Sequence, residues 1–477
     1  MEILITAFQS GLASLASYLA AHVLLCLVPA FFIAGALSAL VPQESVIRYL
    51  GPEAPKWQSY PAAAGAGSLL AVCSCTIQPL FAGIYAKGAG LGPAITFLFF
   101  APAANILALS YTGVALGADF AIARIVLALC FGIGIGLLMA ILFRRGESAR
   151  LAAMAAMPRL GNGDIPRRNL GFLAVLVALL IAGTLKLDVL SAPLASALLP
   201  WDGAVGAQAA FDRWVPVNTL KGEEGLSLHG VLLIGLLLAI GAAAWRGLGE
   251  VDRGWNRATP LALGLTAATL VFAALGLRVG ADGLVLTITG RTLAVAALCA
   301  VLLPLARRFD AWDMQQWLWE TWRFVRLIFP LLVVGVFLVG VVRRFIQPEW
   351  IQAIAGSNTV LANLAGVVFG VFMYFPTLVE VPIAKMFLSL GMHPGPLIAY
   401  LMADPELSLQ SILITSAIIG KLKAWTYVGL VALFSTLAGL CYGAWVDGTP
   451  PTVLALALGG GLACLLLALH FIERKRS

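Results

Sequence analysis

Residues 73–106 read CSCTIQPLFAGIYAKGAGLGPAITFLFFAPAANI, and we expect this stretch to determine how the chain folds. It places two thiols, Cys73 and Cys75, just ahead of Pro79 in an apolar region. Residues two apart on an α-helix point to nearly opposite sides, so both sulfurs face one ion only where the helix is broken. We expect Pro79 to supply that break, because proline lacks the N–H that the helix needs. Unwound backbone at membrane depth must line a cavity or lie inside protein, so the pattern predicts a soft-metal or metalloid site within a membrane.

The composition is that of a membrane protein. Hydrophobic residues make up 61% of the 477 residues and charged residues 11%, and the mean hydropathy is +0.96. Apolar runs of about 20 residues, enough to cross a bilayer, recur along the chain. The net charge of +7 comes from arginines scattered through short connecting segments, which is typical of cytoplasmic loops. We therefore expect the partners to be the lipid bilayer and a small substrate, and no nucleic acid; an oligomer is compatible with the sequence.

Five cysteines lie outside the Cys-Ser-Cys triplet. Each is single in an apolar run, so no disulfide framework is predicted. A free cysteine packs as a small hydrophobe, and ordinary packing is the interpretation for these positions. They are Cys26, Cys130, Cys299, Cys441 and Cys464.

An internal repeat is the second informative feature. A shift of 303 positions places the stretch 376–409, PTLVEVPIAKMFLSLGMHPGPLIAYLMADPELSL, on the region that begins at Cys73. The shift superimposes Pro79 on Pro382, Gly88 on Gly391, Gly92 on Gly395, Pro93 on Pro396, Ile95 on Ile398, Leu98 on Leu401 and Pro102 on Pro405. Most of these residues are glycine or proline, which interrupt regular backbone, so the two stretches are expected to share their breaks.

The charges near the spans predict how the two repeats are oriented. Arg144 follows the last span of repeat one, whereas Lys421 precedes the matching span of repeat two. Both positions carry the positive charge typical of the cytoplasmic side, so the matching spans are expected to run in opposite directions. Inverted repeats with broken helices that meet near the membrane midplane are the architecture of secondary transporters. The expected fold class is therefore an all-α polytopic membrane protein with two inverted repeats and extra spans.

Spans and charges together divide the chain into five segments. These are repeat one with the Cys-Ser-Cys element over 1–143, a basic cytoplasmic loop over 144–169, a four-span insert over 170–305, repeat two over 306–446, and a C-terminal span with a basic tail over 447–477. The residues between the first span and the broken element, 41–60, are expected to form a loop. The expected helix breaks are prolines: Pro79, Pro102, Pro376, Pro382 and Pro405.

The substrate site is expected around the triplet. Two thiolates do not complete a metal shell, so hydroxyl and amide oxygens nearby are candidate additional ligands. The candidates for substrate binding are Cys73, Ser74, Cys75, Thr76, Gln78 and Asn105, with Cys73 and Cys75 as the metal ligands. The alternative is packing at a helix kink for the two cysteines, and capping of a broken helix for Asn105.

Three carboxylates are candidates for coupling transport to protons. Glu380 lies two residues before Pro382, and an ionisable group inside a span indicates a functional site. The alternative for Glu380 is a structural ion pair with Lys385 one turn on. Asp404 and Glu406 flank Pro405, where they either complete the second site or lie at a helix end near water.

The two quoted stretches resemble the predicted permease family that includes organoarsenical efflux permeases. The resemblance covers both repeats, roughly residues 15–143 and 320–445. It implies an integral membrane transporter of the prokaryotic inner membrane that exports trivalent organoarsenicals or soft metal ions. In that family the cysteine pair is the suspected substrate ligand, which maps onto Cys73 and Cys75. Better-known branches continue the pair with glycine, whereas this chain has Thr76.

Taken together, the sequence predicts a proton-coupled efflux permease, with no cofactor, no enzymatic activity and a cytoplasmic C-terminus. The chain has no nucleotide-binding loop, so an ATP-driven pump is disfavoured. Two alternatives stay open. One is a membrane thiol-disulfide oxidoreductase in which Cys73 and Cys75 form a reversible disulfide. The other is a passive channel or scaffold in which the triplet only packs.

Overall fold

Helices make up most of the computed structural model. It describes residues 2–51, 54–69, 74–104, 106–155, 166–184, 188–215, 225–280, 283–343, 345, 349–372, 377–450 and 452–454. Within these residues, six helices are long and apolar enough to cross a membrane. They are Val23–Leu40, Ala118–Leu142, Arg167–Thr184, Leu228–Arg253, Ala311–Val342 and Lys421–Val446. Most of the predicted C-terminal span lies outside the described residues.

The first half of the chain begins with one long helical run. It comprises α1 (Glu2–Tyr18), a π-helical segment (Leu19–Leu27) and α2 (Val28–Leu40). The remaining helices are α3 (Gln43–Leu50), α4 (Lys56–Leu69), α5 (Ser74–Ala86), α6 (Leu91–Ala103), α7 (Ile106–Ala115), α8 (Ala118–Leu142) and α9 (Arg144–Ala155). The expected loops over 41–60 and from 144 onward therefore contain helix. Residues 144–155 are rich in arginine and alanine, both strong helix formers, which explains α9.

The middle of the chain holds the helices of the expected insert and a small sheet. The helices are α10 (Arg167–Thr184), α11 (Asp188–Ser191), α12 (Ala204–Trp214), α13 (Leu228–Gly247), α14 (Ala258–Ala274) and α15 (Gly290–Ala306). The strands are β1 (Pro193–Leu199), β2 (Gly276–Gly280) and β3 (Gly283–Thr289), antiparallel in the order β1-β3-β2. The sheet was not expected. Alternating β-branched residues in β3, which include Val285 and Thr287, favour an extended strand within the predicted four-span insert.

The second half repeats the helix pattern of the first. Its helices are α16 (Ala311–Arg343), α17 (Glu349–Ala355), α18 (Val360–Phe372), α19 (Thr377–Ser389), α20 (Pro394–Ala403), α21 (Leu409–Ile419) and α22 (Lys421–Val446). Adding 303 to the bounds of α5 gives those of α19, and the same shift brings α7 and α8 within one residue of α21 and α22. The glycines at the turns also match: Gly88 and Gly391 have φ values of 94° and 89°. The repeat seen in the sequence is therefore a repeat of backbone structure.

Matching helices of the two halves pack against each other in antiparallel pairs. Phe131 of α8 and Phe434 of α22 are 303 positions apart, and their ring centroids lie 5.1 Å apart. Further along, Phe120 contacts Tyr442, with centroids 4.9 Å apart. Because the number rises on one helix as it falls on the other, α8 and α22 run in opposite directions where they cross.

The long helical run at the start pairs with α16 in the same way. Gly11 lies against Phe337, whereas Gly35 lies against Thr321, so these helices are also antiparallel. A Cβ at Gly35 would lie 2.1 Å from the hydroxyl oxygen of Thr321, which is closer than atoms can approach. Glycine at position 35 therefore allows the two helices to pack closely.

The shorter helices α6 and α20 lie at the centre of the bundle. All residues of α6 are buried, as are Gly395 to Ala403 of α20. Gly92 of α6 faces the carbonyl of Gly136 in α8, and Gly395 of α20 faces that of Gly439 in α22. These equivalent contacts leave no room for a side chain, so the small residues hold both central helices against their neighbours.

Candidate functional site

The last two residues of the Cys-Ser-Cys triplet begin α5. Cys73 lies outside the described residues, and Ser74 and Cys75 form the start of α5 with side chains that are not described. Asn105 and Pro376 also lie outside the described residues. Thr76 and Gln78 are described, and both are buried. The first turns of α5 are therefore in the protein interior.

Pro79 does not break the helix, contrary to the prediction. It lies inside α5, and its equivalent Pro382 lies inside α19. Each proline sits in the second turn of its helix, where the missing N–H removes one hydrogen bond and the rest of the helix continues. By contrast, Pro102 is next to the last residue of α6, and Pro405 lies in the turn between α20 and α21.

A third cysteine lies beside the α5 element. The sulfur of Cys26 forms a hydrogen bond with the hydroxyl of Thr76, the residue that follows Cys75. Cys26 is buried and belongs to the π-helical segment. Short π-helical stretches are frequent at functional sites. This contact could not be predicted from the sequence, because Cys26 and Thr76 are 50 residues apart.

Gln78 joins the α5 element to the second half of the protein. Its Oε1 accepts a hydrogen bond of 3.2 Å from the hydroxyl of Thr415 in α21. Both side chains are buried. The contact therefore links the element that carries the cysteines to a helix of the other repeat.

Glu380 forms a buried ion pair with Arg124 of α8. The guanidinium Nη2 lies 3.0 Å from Oε1 and 3.3 Å from Oε2 of Glu380. The side chains of Arg124 and Glu380 are 0% and 1% exposed. The alternative of an ion pair with Lys385 is therefore wrong, since the cation that neutralises Glu380 comes from the first repeat. The charge of Arg124 inside the apolar run 118–142 was the signal that sequence reasoning missed.

Arg124 also holds the interruption between α6 and α7. Its Nε donates 2.7 Å to the carbonyl of Ala103, the last residue of α6, and its Nη1 donates 3.2 Å to the hydroxyl of Thr112 in α7. The last carbonyls of a helix lack partners within the helix, and a cation there opposes the negative end of the helix dipole. One guanidinium thus connects α6, α7, α8 and α19.

Tyr427 occupies the equivalent position in the second repeat. It lies 303 positions after Arg124, and its hydroxyl donates 2.6 Å to Oε2 of Glu406. Glu406 is itself 303 positions after Ala103, so both contacts join equivalent positions. Asp404 and Glu406 are both buried, which excludes the alternative that they lie near water. Within the described residues, Oε1 of Glu406 has no hydrogen-bond partner.

A second polar cluster connects the halves at the end of α5. Glu147 of α9 forms an ion pair with Lys423 of α22, accepts a hydrogen bond of 2.7 Å from the hydroxyl of Tyr85, and pairs with Arg150 at 3.0 Å. Arg150 also donates 2.8 Å to the carbonyls of Tyr85 and Ala89. Burial by itself raises the pKa of Glu147, but hydrogen bonds from Lys423 and Tyr85 and the charge of Arg150 bring that pKa below its ordinary value.

The predicted site residues thus fall into connected groups. The α5 element contacts Cys26 and Thr415, whereas Glu380 contacts Arg124, and Glu406 contacts Tyr427. Among the residues that the structure describes, no three His, Cys, Asp or Glu side chains come together as a metal site. Cys73 is not among these residues.

Comparison with known proteins identifies the family. A model of the predicted-permease family matches residues 9–444. The chain belongs to that family. The resemblance read from the sequence is therefore confirmed, and membership supports a membrane transporter. No solved structure matches the chain.

Two relatives extend this comparison. The chain is 32% identical over 428 residues to "UPF0718 protein MJ0584" of Methanocaldococcus jannaschii, covering 89% of this chain and 93% of that protein. It is 26% identical over 133 residues to "UPF0718 protein YraQ" of Escherichia coli, covering 28% of this chain and 36% of that protein. These names state no substrate.

Proposed function

We propose that the chain is a secondary transporter that exports a thiophilic substrate, such as a trivalent arsenical or a soft metal ion, in exchange for protons. It acts in the prokaryotic inner membrane with its C-terminus in the cytoplasm, and it is not an enzyme. The observation that carries this proposal is the buried ion pair between Arg124 and Glu380, which joins the two repeats beside their interrupted helices. Charged groups buried inside a membrane bundle mark ion and substrate pathways.

Inversion of the repeats is part of the proposal. Its support is the antiparallel packing of matching helices, seen where Phe131 contacts Phe434. Phe131 and Phe434 occupy equivalent positions in the two repeats, so their contact places both beside the symmetry axis that relates the repeats. A rotation about an axis in the membrane plane reverses a helix with respect to the bilayer, and this is the symmetry of many secondary transporters.

The substrate would bind thiolates at the start of α5. Cys73 and Cys75 are the primary ligands, and Cys26 is a third thiol that reaches this element through Thr76. Trivalent arsenic and soft metals prefer sulfur, so a third sulfur favours such a substrate over a hard cation. Ser74, Thr76, Gln78 and Asn105 remain candidates for further ligands.

Coupling of transport to protons would operate through the protonation state of Glu380. While Glu380 is ionised, Arg124 holds α19 against α7 and α8. A proton on Glu380 removes the negative charge and weakens this attachment, so that α19 can move relative to α7 and α8. Asp404 and Glu406 lie at the interruption after α20 and are the further candidates for proton uptake.

A ligand screen tests the proposed substrate class. Thermal unfolding of the purified protein is measured with a trivalent organoarsenical, Zn²⁺, Cu⁺ and Mg²⁺, each with and without prior thiol alkylation. The proposal predicts stabilisation by one or more thiophilic ligands that alkylation abolishes. Stabilisation by Mg²⁺ alone, or by any ligand regardless of alkylation, contradicts it. A new disulfide formed under mild oxidant without any ligand effect would favour a thiol oxidoreductase instead.

A further inference from the structure

The interruption between α20 and α21, residues 404–408, is buried in the bundle. All five of its residues are buried. Gly370 of α18 lies against the backbone of Asp404, where a Cβ would come within 2.9 Å of the amide nitrogen. Gly335 of α16 lies as closely against Gln410, at the start of α21. Polar groups of the interruption are therefore enclosed by helices, where the lack of a partner is costly.

The carboxyl end of α20 lacks two helical hydrogen bonds. Pro405 has no N–H to donate to the carbonyl of Leu401. The N–H of Glu406 donates to the carbonyl of Ala403, three residues back, and not to that of Met402. Carbonyls at this end of a helix point along its axis, so those of Leu401 and Met402 face the interruption and make its potential negative.

The side chain of Glu406 adds to this negative potential. It is 4% exposed, and its Oε2 accepts a hydrogen bond from Tyr427. Among the described residues, its Oε1 has no hydrogen-bond partner and no cation acts on its carboxyl group. Gln410 is 1% exposed, and neither its amide oxygen nor its amide nitrogen has a partner in the same part of the chain. Two buried side chains thus keep an oxygen atom available to a ligand.

The equivalent helix end in repeat one carries its own cation. There, Arg124 donates to the carbonyl of Ala103 and neutralises Glu380. Tyr427 and Glu406 follow Arg124 and Ala103 by 303 positions, and they also contact each other, but a phenol brings no positive charge. The end of α6 is therefore balanced by a guanidinium. No such group among the described residues balances Glu406 at the end of α20.

A proton or a metal ion could balance the charge of Glu406. A proton would remove the charge but would leave Oε1 of Glu406 and the amide of Gln410 without partners. A cation bound to Oε1 would balance the charge and use the available oxygens at the same time. One carboxylate with neutral oxygen ligands suits a small hard cation of single charge. Unwound backbone carbonyls and the carboxyl ends of broken helices are the groups that coordinate Na⁺ in secondary transporters.

We propose that the interruption between α20 and α21 binds Na⁺. Oε1 of Glu406 is the anionic ligand. The neutral ligands are the carbonyl oxygens of Leu401 and Met402 and the amide oxygen of Gln410. The ion supplies the positive charge that a guanidinium supplies in repeat one, and it attaches the end of α20 to the start of α21. This proposal goes beyond the transport of a thiophilic substrate, and coupling through Glu380 does not depend on it.

Thermal unfolding measures this binding without any arsenical or soft metal. The purified full chain is heated in NaCl and in choline chloride at equal ionic strength. The wild-type midpoint should rise with Na⁺ and reach a plateau. Glu406→Gln removes the charge that the ion balances and should abolish this rise. Gln410→Leu removes one neutral ligand and should weaken Na⁺ binding about tenfold, and this milder variant tests the site even if Glu406→Gln does not fold.

Two further variants distinguish the site from a general effect of salt. Tyr427→Arg introduces the guanidinium that Arg124 provides in repeat one, so its stability should no longer depend on Na⁺. Glu320→Gln removes a carboxylate that pairs with Arg323 of α16, outside the interruption, and should keep the wild-type response.

Two outcomes would overturn the proposal. One is a wild-type midpoint that is the same in NaCl and in choline chloride, which would leave a proton as the charge that balances Glu406. The other is a Na⁺ response of Glu406→Gln equal to that of the wild-type protein. Because no transported substrate is present, neither outcome bears on the proposed transport function.

Discussion

Arg124 and Glu380 lie 256 positions apart in the sequence, and their charged groups meet at 3.0 Å in a fully buried ion pair. The same guanidinium binds the last carbonyl of α6 and the hydroxyl of Thr112. Removing one partner of a buried pair leaves the other charge without compensation, which costs far more than removing both. Comparison of the single variants with the double variant therefore measures how strongly each charge depends on its partner.

The losses of stability caused by replacing Arg124 and Glu380 singly should not add up in the double variant. Arg124→Met and Glu380→Leu are each expected to lower the free energy of unfolding by about 3–5 kcal/mol, whereas the double variant should recover much of that loss. Thermal unfolding of purified protein provides the comparison. Lys385→Gln is the matched control, and it should have little effect because Lys385 does not neutralise Glu380. Additive losses, or an equal loss from Lys385→Gln, would refute the assigned pairing.

Replacement of the thiols should affect substrate binding and not folding. Cys73→Ser and Cys75→Ser are expected to abolish binding of a trivalent organoarsenical, and Cys26→Ser should weaken it about tenfold or more, since sulfur is the preferred ligand. Binding is measured by quenching of tryptophan fluorescence. Cys130→Ser is the control, because Cys130 is exposed on α8, away from the α5 element. Unchanged affinity in the Cys73/Cys75 double variant would show that the thiols are not ligands.

The Glu147 cluster predicts an acid-dependent loss of stability. The pKa of Glu147 is lowered in the folded protein, so its stabilising effect is present above the unfolded pKa, about 4.3, and is lost as pH falls through the folded pKa. Glu147→Gln should therefore lower stability at neutral pH by about 2 kcal/mol and make little difference at low pH. The thermal midpoint from pH 3 to pH 8 shows this convergence. Asp313→Asn breaks the exposed pair with Arg168 and should have a small effect throughout; a constant offset for Glu147→Gln at every pH would contradict the assignment.

Accessibility labelling tests the inversion of the repeats. Ala149 in α9 and Ser227 before α13 are exposed positions for single cysteines. Gly448 has a φ of 95°, a conformation that other residues rarely adopt, so the third cysteine belongs at Thr449. An impermeant reagent outside the cell should label positions 227 and 449 and leave 149 unlabelled. Labelling of 149 and 449 from the same side would make the repeats parallel.

Local signals in the sequence predicted much of the fold. Gly88 and Gly391 mark turns in which a positive φ is required, and this requirement follows from the residue type alone. The 303-residue shift therefore predicted the register of the helices in the second half. The small sheet was missed because Val285 and Thr287 lie in an apolar run whose length suggested a span.

The contacts of the candidate site could not be predicted in the same way. Glu380 was recognised as a buried charge, but its partner depends on how α8 packs against α19, and Lys385 was the nearer cation in the sequence. Cys26 appeared as one small hydrophobe among others until the fold placed its sulfur on Thr76. Pro79 was expected to break the helix beside the cysteines, yet the helix runs through it. Each of these outcomes depends on tertiary packing, which a sequence pattern does not specify.

Transport by purified protein in liposomes tests the central claim most directly. A trivalent organoarsenical is supplied with and without a pH gradient, and uptake is followed for the wild-type protein, Glu380→Gln and the Cys73/Cys75 double serine variant. The wild-type protein should accumulate the arsenical only with the pH gradient, Glu380→Gln should let it equilibrate without accumulation whether or not the gradient is present, and the double serine variant should show no uptake. Equal, gradient-independent uptake by the wild-type protein and the double serine variant would contradict a proton-coupled transporter that binds its substrate through thiols.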